Sequence, residues 1–144
     1  MFKRILVPTD GSDITDKAVN TTITLAKAMG ASVYTISVKE PFPYSAISEM
    51  QPTPPQEFYD AQERIAAARV KTVNDACAAA SVTCQGHTVE ALHPWEAIID
   101  HAARMECDLL VMASHGRRGM VALLLGSETQ KVLTHSTIPV LVVR

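Results

Sequence analysis

Residues 107 to 113, Cys-Asp-Leu-Leu-Val-Met-Ala, constrain this chain most, because after Asp108 every side chain is apolar and nothing alternates. So short a run is no ordinary helix, and a strand with one wet face would alternate polar and apolar residues. It reads as a strand covered on both faces, the condition of an inner strand in a parallel sheet. Parallel strands need crossovers of a dozen or more residues, so helices must lie between the strands.

The rest of the chain supplies those elements. Ile5-Leu6-Val7, stopping at Pro8, reads as a first short buried strand. Asp13 is placed to cap a helix in which Ile14, Ala18, Leu25 and Met29 recur, and Gly30 ends it. Residues 31 to 38, rich in β-branched side chains, form a second strand. A long helix is expected from Phe58 to about Ala80. A third strand follows over 81 to 90, with Gly86 as a point of interruption. Pro94 opens a helix at its first turn, Ser127 to His135 reads as another, and residues 138 to 144 close the sequence as a fifth strand. Strands alternating with helices predict an α/β fold, an open five-stranded parallel sheet with helices on both faces, in one domain over residues 1–144.

Composition excludes several classes. With 47% hydrophobic and 19% charged residues, the chain can bury a real core. A formal net charge of −2 gives no global field for nucleic acid or acidic membrane, so an anion site must be local. The apolar runs are too short for a membrane span, and the first residues lack the apolar stretch of a signal peptide. Cys77, Cys84 and Cys107 form no C-x-x-C pair and read as small buried side chains in a reducing, cytoplasmic setting. Residues 40 to 56 hold five of the eight prolines. They predict an irregular surface segment, either a lid or partner surface or a tolerated insertion.

Two loops at carboxyl ends of strands carry unusual chemistry: Pro8-Thr9-Asp10-Gly11-Ser12 after the first, and Ala113-Ser114-His115-Gly116-Arg117-Arg118-Gly119 after the fourth. If those strands are neighbours, one crevice joins both loops, and in open α/β sheets ligands bind there. Gly116 and Gly119 permit positive φ and leave amides free to face an anion, or simply make turns. Gly126-Ser127 opens a helix whose N-terminus suits a phosphate, and Ser127 with Gln130 matches the S-x-x-Q capping pattern. Arg117 or Arg118 would add charge. Asp10 offers an acceptor to a ribose hydroxyl or a bound metal ion, or serves only the turn before Gly11. His115 would bond a phosphate or ribose, or stabilise its loop.

These residues resemble the universal stress protein family along nearly the whole chain, above all in Ile5 to Ser12 and in Ala113 to Arg144. The ATP-binding branch of that family carries G-x2-G-x9-G-[ST]. Here Gly116, Gly126 and Ser127 match, while Ala113 stands at the first glycine. The resemblance implies a Rossmann-like sheet in the order 3-2-1-4-5 and a bound adenine nucleotide, ATP or AMP, with Mg²⁺ accompanying ATP. Pro8, Thr9 and Asp10 would border the nucleoside, and the Val38 backbone would read the adenine. Residues 113 to 119 would wrap ribose and phosphates, with Gly126, Ser127, Glu128 and Thr129 closing the phosphate site. Glu128 would favour the helix N-terminus and compete there with a phosphate. The resemblance also implies a homodimer through Val140, Leu141, Val142 and Val143, and a role in stress tolerance with little or no catalysis.

Catalytic and metal signatures are weak. The five histidines show no H-x-x-x-H spacing and no cysteine partner, so no metal site is expected. There is neither a Walker motif nor G-x-G-x-x-G after the first strand. Asp100 and His101 read as a solvated helix face, and Trp95 as packing. Besides the nucleotide-binding regulator, two readings stay open: a slow ATPase, and a dimeric interaction module with a vestigial site.

Overall fold

The computed structural model describes residues 1–42, 55–117 and 124–144. Arg118, Gly119 and most of the proline-rich segment fall outside them. Five strands form one parallel sheet: β1 (Arg4–Pro8), β2 (Ser32–Lys39), β3 (Cys84–Glu90), β4 (Leu109–Ala113) and β5 (Val140–Val143). Their order is β3-β2-β1-β4-β5, as expected, and Gly86 does not interrupt β3. The helices are α1 (Asp13–Met29), α2 (Gln56–Ala79), α3 (Pro94–Arg104) and α4 (Ser127–His135). None of the helices among the described residues is long and apolar enough to cross a membrane.

The uninterrupted apolar runs are explained by the two cores. Side chains alternate across the sheet, so Ile5, Val7, Leu109 and Val111 enter one core with α1 and α2. Leu6, Ile36, Leu110 and Met112 enter the other with α3 and α4. Burying both faces removes any reason for polar alternation in β1 and β4.

Helix ends follow local chemistry, with two differences from the sequence pattern. Ser12, not Asp13, caps α1, its Oγ accepting from Thr15 N at 3.4 Å. Asp13 instead occupies the first turn, where its charge complements the helix dipole. At the other end Gly30 takes φ 65° and its N–H returns to the Ala26 carbonyl, a left-handed terminus that a side chain would strain.

The site-bearing geometry comes from strand order. The chain runs outward through β1, β2 and β3, then crosses back to β4 on the other side of β1. The carboxyl ends of β1 and β4 therefore lie side by side where the winding reverses.

Candidate functional site

Both loops meet at that reversal, and Asp10 joins them. Its Oδ1 accepts from Ser12 N (2.9 Å), Ser12 Oγ (2.6 Å) and Thr15 Oγ1 (2.6 Å). Its Oδ2 accepts from the Arg117 amide at 2.8 Å, across 107 positions of sequence. Burial opposes ionisation of this carboxyl. The hydroxyls of Ser12 and Thr15 and the amides of Ser12 and Arg117 outweigh it, holding the pKa below the usual aspartate value. Asp10 is thus more than a turn residue: it ties the first loop to the second.

Gly116 serves this tie in a way its sequence context did not reveal. Its φ is not positive. A Cβ there would come within 2.8 Å of Asp10 Oδ2, so the missing side chain is what admits the carboxylate. Gly126 works similarly, since a Cβ would lie 3.1 Å from the His115 Cα. Its N–H donates to the Ser114 carbonyl at 2.7 Å, which seats the start of α4 against the end of β4.

The helix start differs from the capping pattern. Gly126 is the N-cap, without a side-chain cap bond, and Ser127 is the first helical residue. Gln130 Nε2 donates to the Leu125 carbonyl at 2.8 Å instead of reaching back as S-x-x-Q requires. The first intrahelical bond runs from Gln130 N to Gly126 O, so the amides of Ser127, Glu128 and Thr129 have no acceptor inside the helix. Ser127 is exposed beside them.

Two further residues take other roles than expected. Glu128 leaves its own helix N-terminus: Oε2 accepts from Trp95 N at 2.8 Å, satisfying an orphan amide in the first turn of α3. It therefore braces α3 against α4 rather than competing with an anion. Trp95 stacks on His135 with ring centroids 4.6 Å apart, which confirms it as packing. The Thr129 hydroxyl is turned inward, donating to the Ala113 carbonyl at 2.7 Å.

Ala113 ends β4, paired with Val143, and has no positive φ. Its extended backbone tolerates a methyl group, so glycine is not required there for conformation. Ser114 is buried, with its N–H on the Val143 carbonyl at 2.7 Å, and its Oγ lies 3.1 Å from His115 Nδ1. That contact supports the loop-stabilising role of His115.

On the other side of β1, Thr9 is buried and its N–H donates to the Ile36 carbonyl at 2.9 Å, while Pro8 is the last ladder partner of Ile36. Main-chain groups two residues apart in a strand point the same way. The N–H and C=O of Val38 therefore face the side from which β1 has already departed, over Pro8 and Thr9.

A cleft of about 450 Å³ opens beside the junction, walled by Ser12, Asp13, Ile14, Lys17, His115, Gly116 and Arg117. Pro8, Thr9 and Val38 are not among its walls. Sequence reasoning missed Ser12 and Thr15, which hold Asp10, and Lys17, which adds a cation to the cleft. It also missed Arg69 on α2. A Cβ built on Gly11 would lie 3.2 Å from the Arg69 Cγ and Nε, so this side chain lies over the first loop. Burial and neighbouring Arg117 lower its pKa, against the pull of Asp10 and Glu40. The helical spacing of α2 holds no hint of such a reach.

Away from the rim, His101 is only 2% exposed, not part of a solvated face with Asp100. Its ring meets that of His87 on β3 edge to face, centroids 5.0 Å apart, because α3 packs on this side of the edge strand. No group of three or more His, Cys, Asp or Glu among the described residues could hold a metal ion.

Comparison with known proteins agrees with this architecture. The family model described as universal stress protein family matches residues 1–144. A universal stress protein of Thermus aquaticus is 33% identical over 144 residues, covering all of both chains. Among solved structures, the protein MJ0577 superposes with a TM-score of 0.84 at 25% identity, covering 99% of this chain and 96% of its own. A universal stress protein in complex with cAMP superposes with a TM-score of 0.70 at 26% identity, covering 99% and 97%.

Proposed function

Since the chain belongs to the universal stress protein family, we propose that it binds an adenine nucleotide, ATP or AMP, at the carboxyl-end rim and acts as a dimeric, cytoplasmic regulator of the stress response. The observation that carries this reading is the junction itself. The α4 start is seated on Ser114 and His115, His115 and Gly116 share the cleft with Arg117 and Lys17, and the backbone of Val38 faces the same end of the sheet over Pro8 and Thr9. Amides at a helix start and nearby cations suit phosphates, and an exposed strand backbone suits the edge of a purine. The similar protein complexed with cAMP adds support for an adenine ligand.

In this reading Pro8, Thr9 and Asp10 border the nucleoside. Residues 113 to 117, with Arg118 and Gly119, wrap ribose and phosphates, and Gly126 and Ser127 close the phosphate end. Among the described residues Arg117 N is the one donor to Asp10 Oδ2, which leaves a lone pair there for a ribose hydroxyl. Asp10 Oδ1 already accepts three hydrogen bonds that fix its loop, so the carboxylate would not chelate Mg²⁺ through both oxygens. Magnesium would arrive on the phosphates of ATP, keeping most of its water.

The dimer would form through β5, the last strand in the sheet order, where Val140, Leu141, Val142 and Val143 leave an apolar edge. Leu141 is 38% exposed there, the kind of edge that a second copy covers.

The test is equilibrium titration of ligand-stripped protein with ATP, ADP and AMP, beside a Gly126→Asp variant. The new carboxylate meets the His115 backbone and repels phosphate, so affinity should fall by about 100-fold with the sheet still folded by circular dichroism. Unchanged affinity in a folded variant would remove the phosphate from this place.

A further inference from the structure

The α2–β3 seam carries chemistry unrelated to the rim. Helix α2 passes so close to β3 that a Cβ on Gly86 would overlap Val70 Cγ1 and come 3.2 Å from both ends of the Asn74 carboxamide. One turn further along the helix stands Cys77, and two residues back on the same face of β3 stands Cys84. The helix advances about 4.5 Å over that step and the strand retreats about 6.6 Å, so the two cysteines arrive at one place. Both pack into the same apolar cluster, close enough that each shifts the other's ionisation, Cys77 downward and Cys84 upward. The connection between them is tight, with Val82 N on the Cys77 carbonyl at 2.9 Å. Cys107 lies apart, in the core on the opposite face of the sheet.

We propose that Cys77 and Cys84 are a peroxide-sensitive modification site that closes to an intramolecular disulfide, stapling the end of α2 to the start of the edge strand. Cys77 is fully buried and Cys84 half-buried, so Cys84 is the sulfur that a small oxidant reaches. Hydrogen peroxide is the co-reactant. The first proton leaves Cys77, whose pKa the neighbouring Cys84 lowers, and a proton passing from Cys84 to Cys77 then puts the charge on the more accessible sulfur. The Cys84 thiolate attacks one peroxide oxygen: an S–O bond forms, the O–O bond breaks, and hydroxide departs to become water. The Cys77 sulfur then attacks the sulfenic sulfur, an S–S bond forms, the S–O bond breaks and a second water leaves with the Cys77 proton. Each cysteine sulfur gives up one electron, and peroxide takes both.

The experiment treats the reduced full-length protein with hydrogen peroxide, quenches, alkylates free thiols and digests with trypsin without reductant. Cleavage after Lys71 and Arg104 leaves Cys77 and Cys84 on one peptide and Cys107 on the next. The expected product is the 72–104 peptide lighter by two hydrogen atoms and unalkylated, with alkylation at Cys77 and Cys84 reduced about tenfold relative to Cys107. Reductant restores both. Cys84→Ser and Cys77→Ser should each abolish the lighter peptide. Equal alkylation of all three cysteines after peroxide, or a disulfide joining two chains through Cys84, overturns the proposal. So does a light peptide that persists in either serine variant.

Discussion

The carboxyl-end rim and the edge strand β3 both bring distant segments together through a glycine, with opposite chemistry. At the rim, Gly116 makes room for a charged carboxylate, and Asp10 holds the second loop through the Arg117 amide. At the edge, Gly86 makes room for the buried Val70 and for the uncharged carboxamide of Asn74 on the α2 side. On the other side of the edge strand the seam is closed by two imidazoles, with His87 Nδ1 and His101 Nε2 buried and lacking hydrogen-bond partners among the described residues. A polar junction near solvent can exchange its bonds with a ligand at little cost, since water and phosphate offer similar ones. A packed seam has no such substitute and opens only with the fold.

That difference ranks the outcomes of mutation. Gly86→Val should have the largest effect, because β-branched bulk must displace Val70 from the seam. A loss of about 3 kcal/mol is expected in urea unfolding. A loss below about 0.5 kcal/mol would mean that α2 shifts freely, and the seam would not be rigid.

The next effect is acid sensitivity at the other face of β3. Burial, then the neighbouring His87 and Arg104, push the pKa of His101 down from 6.5 to about 4. The unfolded chain therefore binds more protons between those values, and stability falls as pH drops through that window. By about pH 5 the cost should approach about 2 kcal/mol, and His101→Leu should flatten that part of the pH profile. A variant with the same acid slope as the parent would clear His101 of the role.

Asp10→Asn should cost least, about 1.5 kcal/mol at neutral pH, by weakening charge-assisted bonds at the more exposed junction. Because the folded pKa of Asp10 lies below its model-compound value of 3.8, its contribution is present above that pH. It disappears as pH falls through the lower folded value, so the parent and Asp10→Asn should converge in strong acid. A constant gap at every pH would show that the carboxylate charge contributes nothing.

Much of the fold was legible because its signals are local. The continuous runs of β1 and β4, Pro94 at the start of α3 and Gly30 at the end of α1 each act within a few residues. The loops of the candidate site were legible for the same reason: glycines, an aspartate and a helix start cluster in short stretches. Assignments failed where a side chain had a choice of partners. Glu128 stands two residues after a helix N-cap, yet it bonds Trp95 on another helix. His101 follows a charged residue on α3, yet the helix turns it into the core beside His87. Ser12 rather than Asp13 caps α1, because Asp10 orients the serine by accepting from its amide and hydroxyl.

The pattern of hydrophobicity alone determined that this chain makes a parallel sheet with covered faces, since only strands wet on neither side read as unbroken apolar runs. It also placed the glycines and the helix start that crowd the end of β4. Tertiary structure alone decided what those glycines are for, because the groups they admit come from far along the chain: a carboxylate at Gly116 and an aliphatic side chain at Gly86. Sequence spacing sets which way a side chain leaves its own helix or strand. Only the packing of elements against one another sets what it meets.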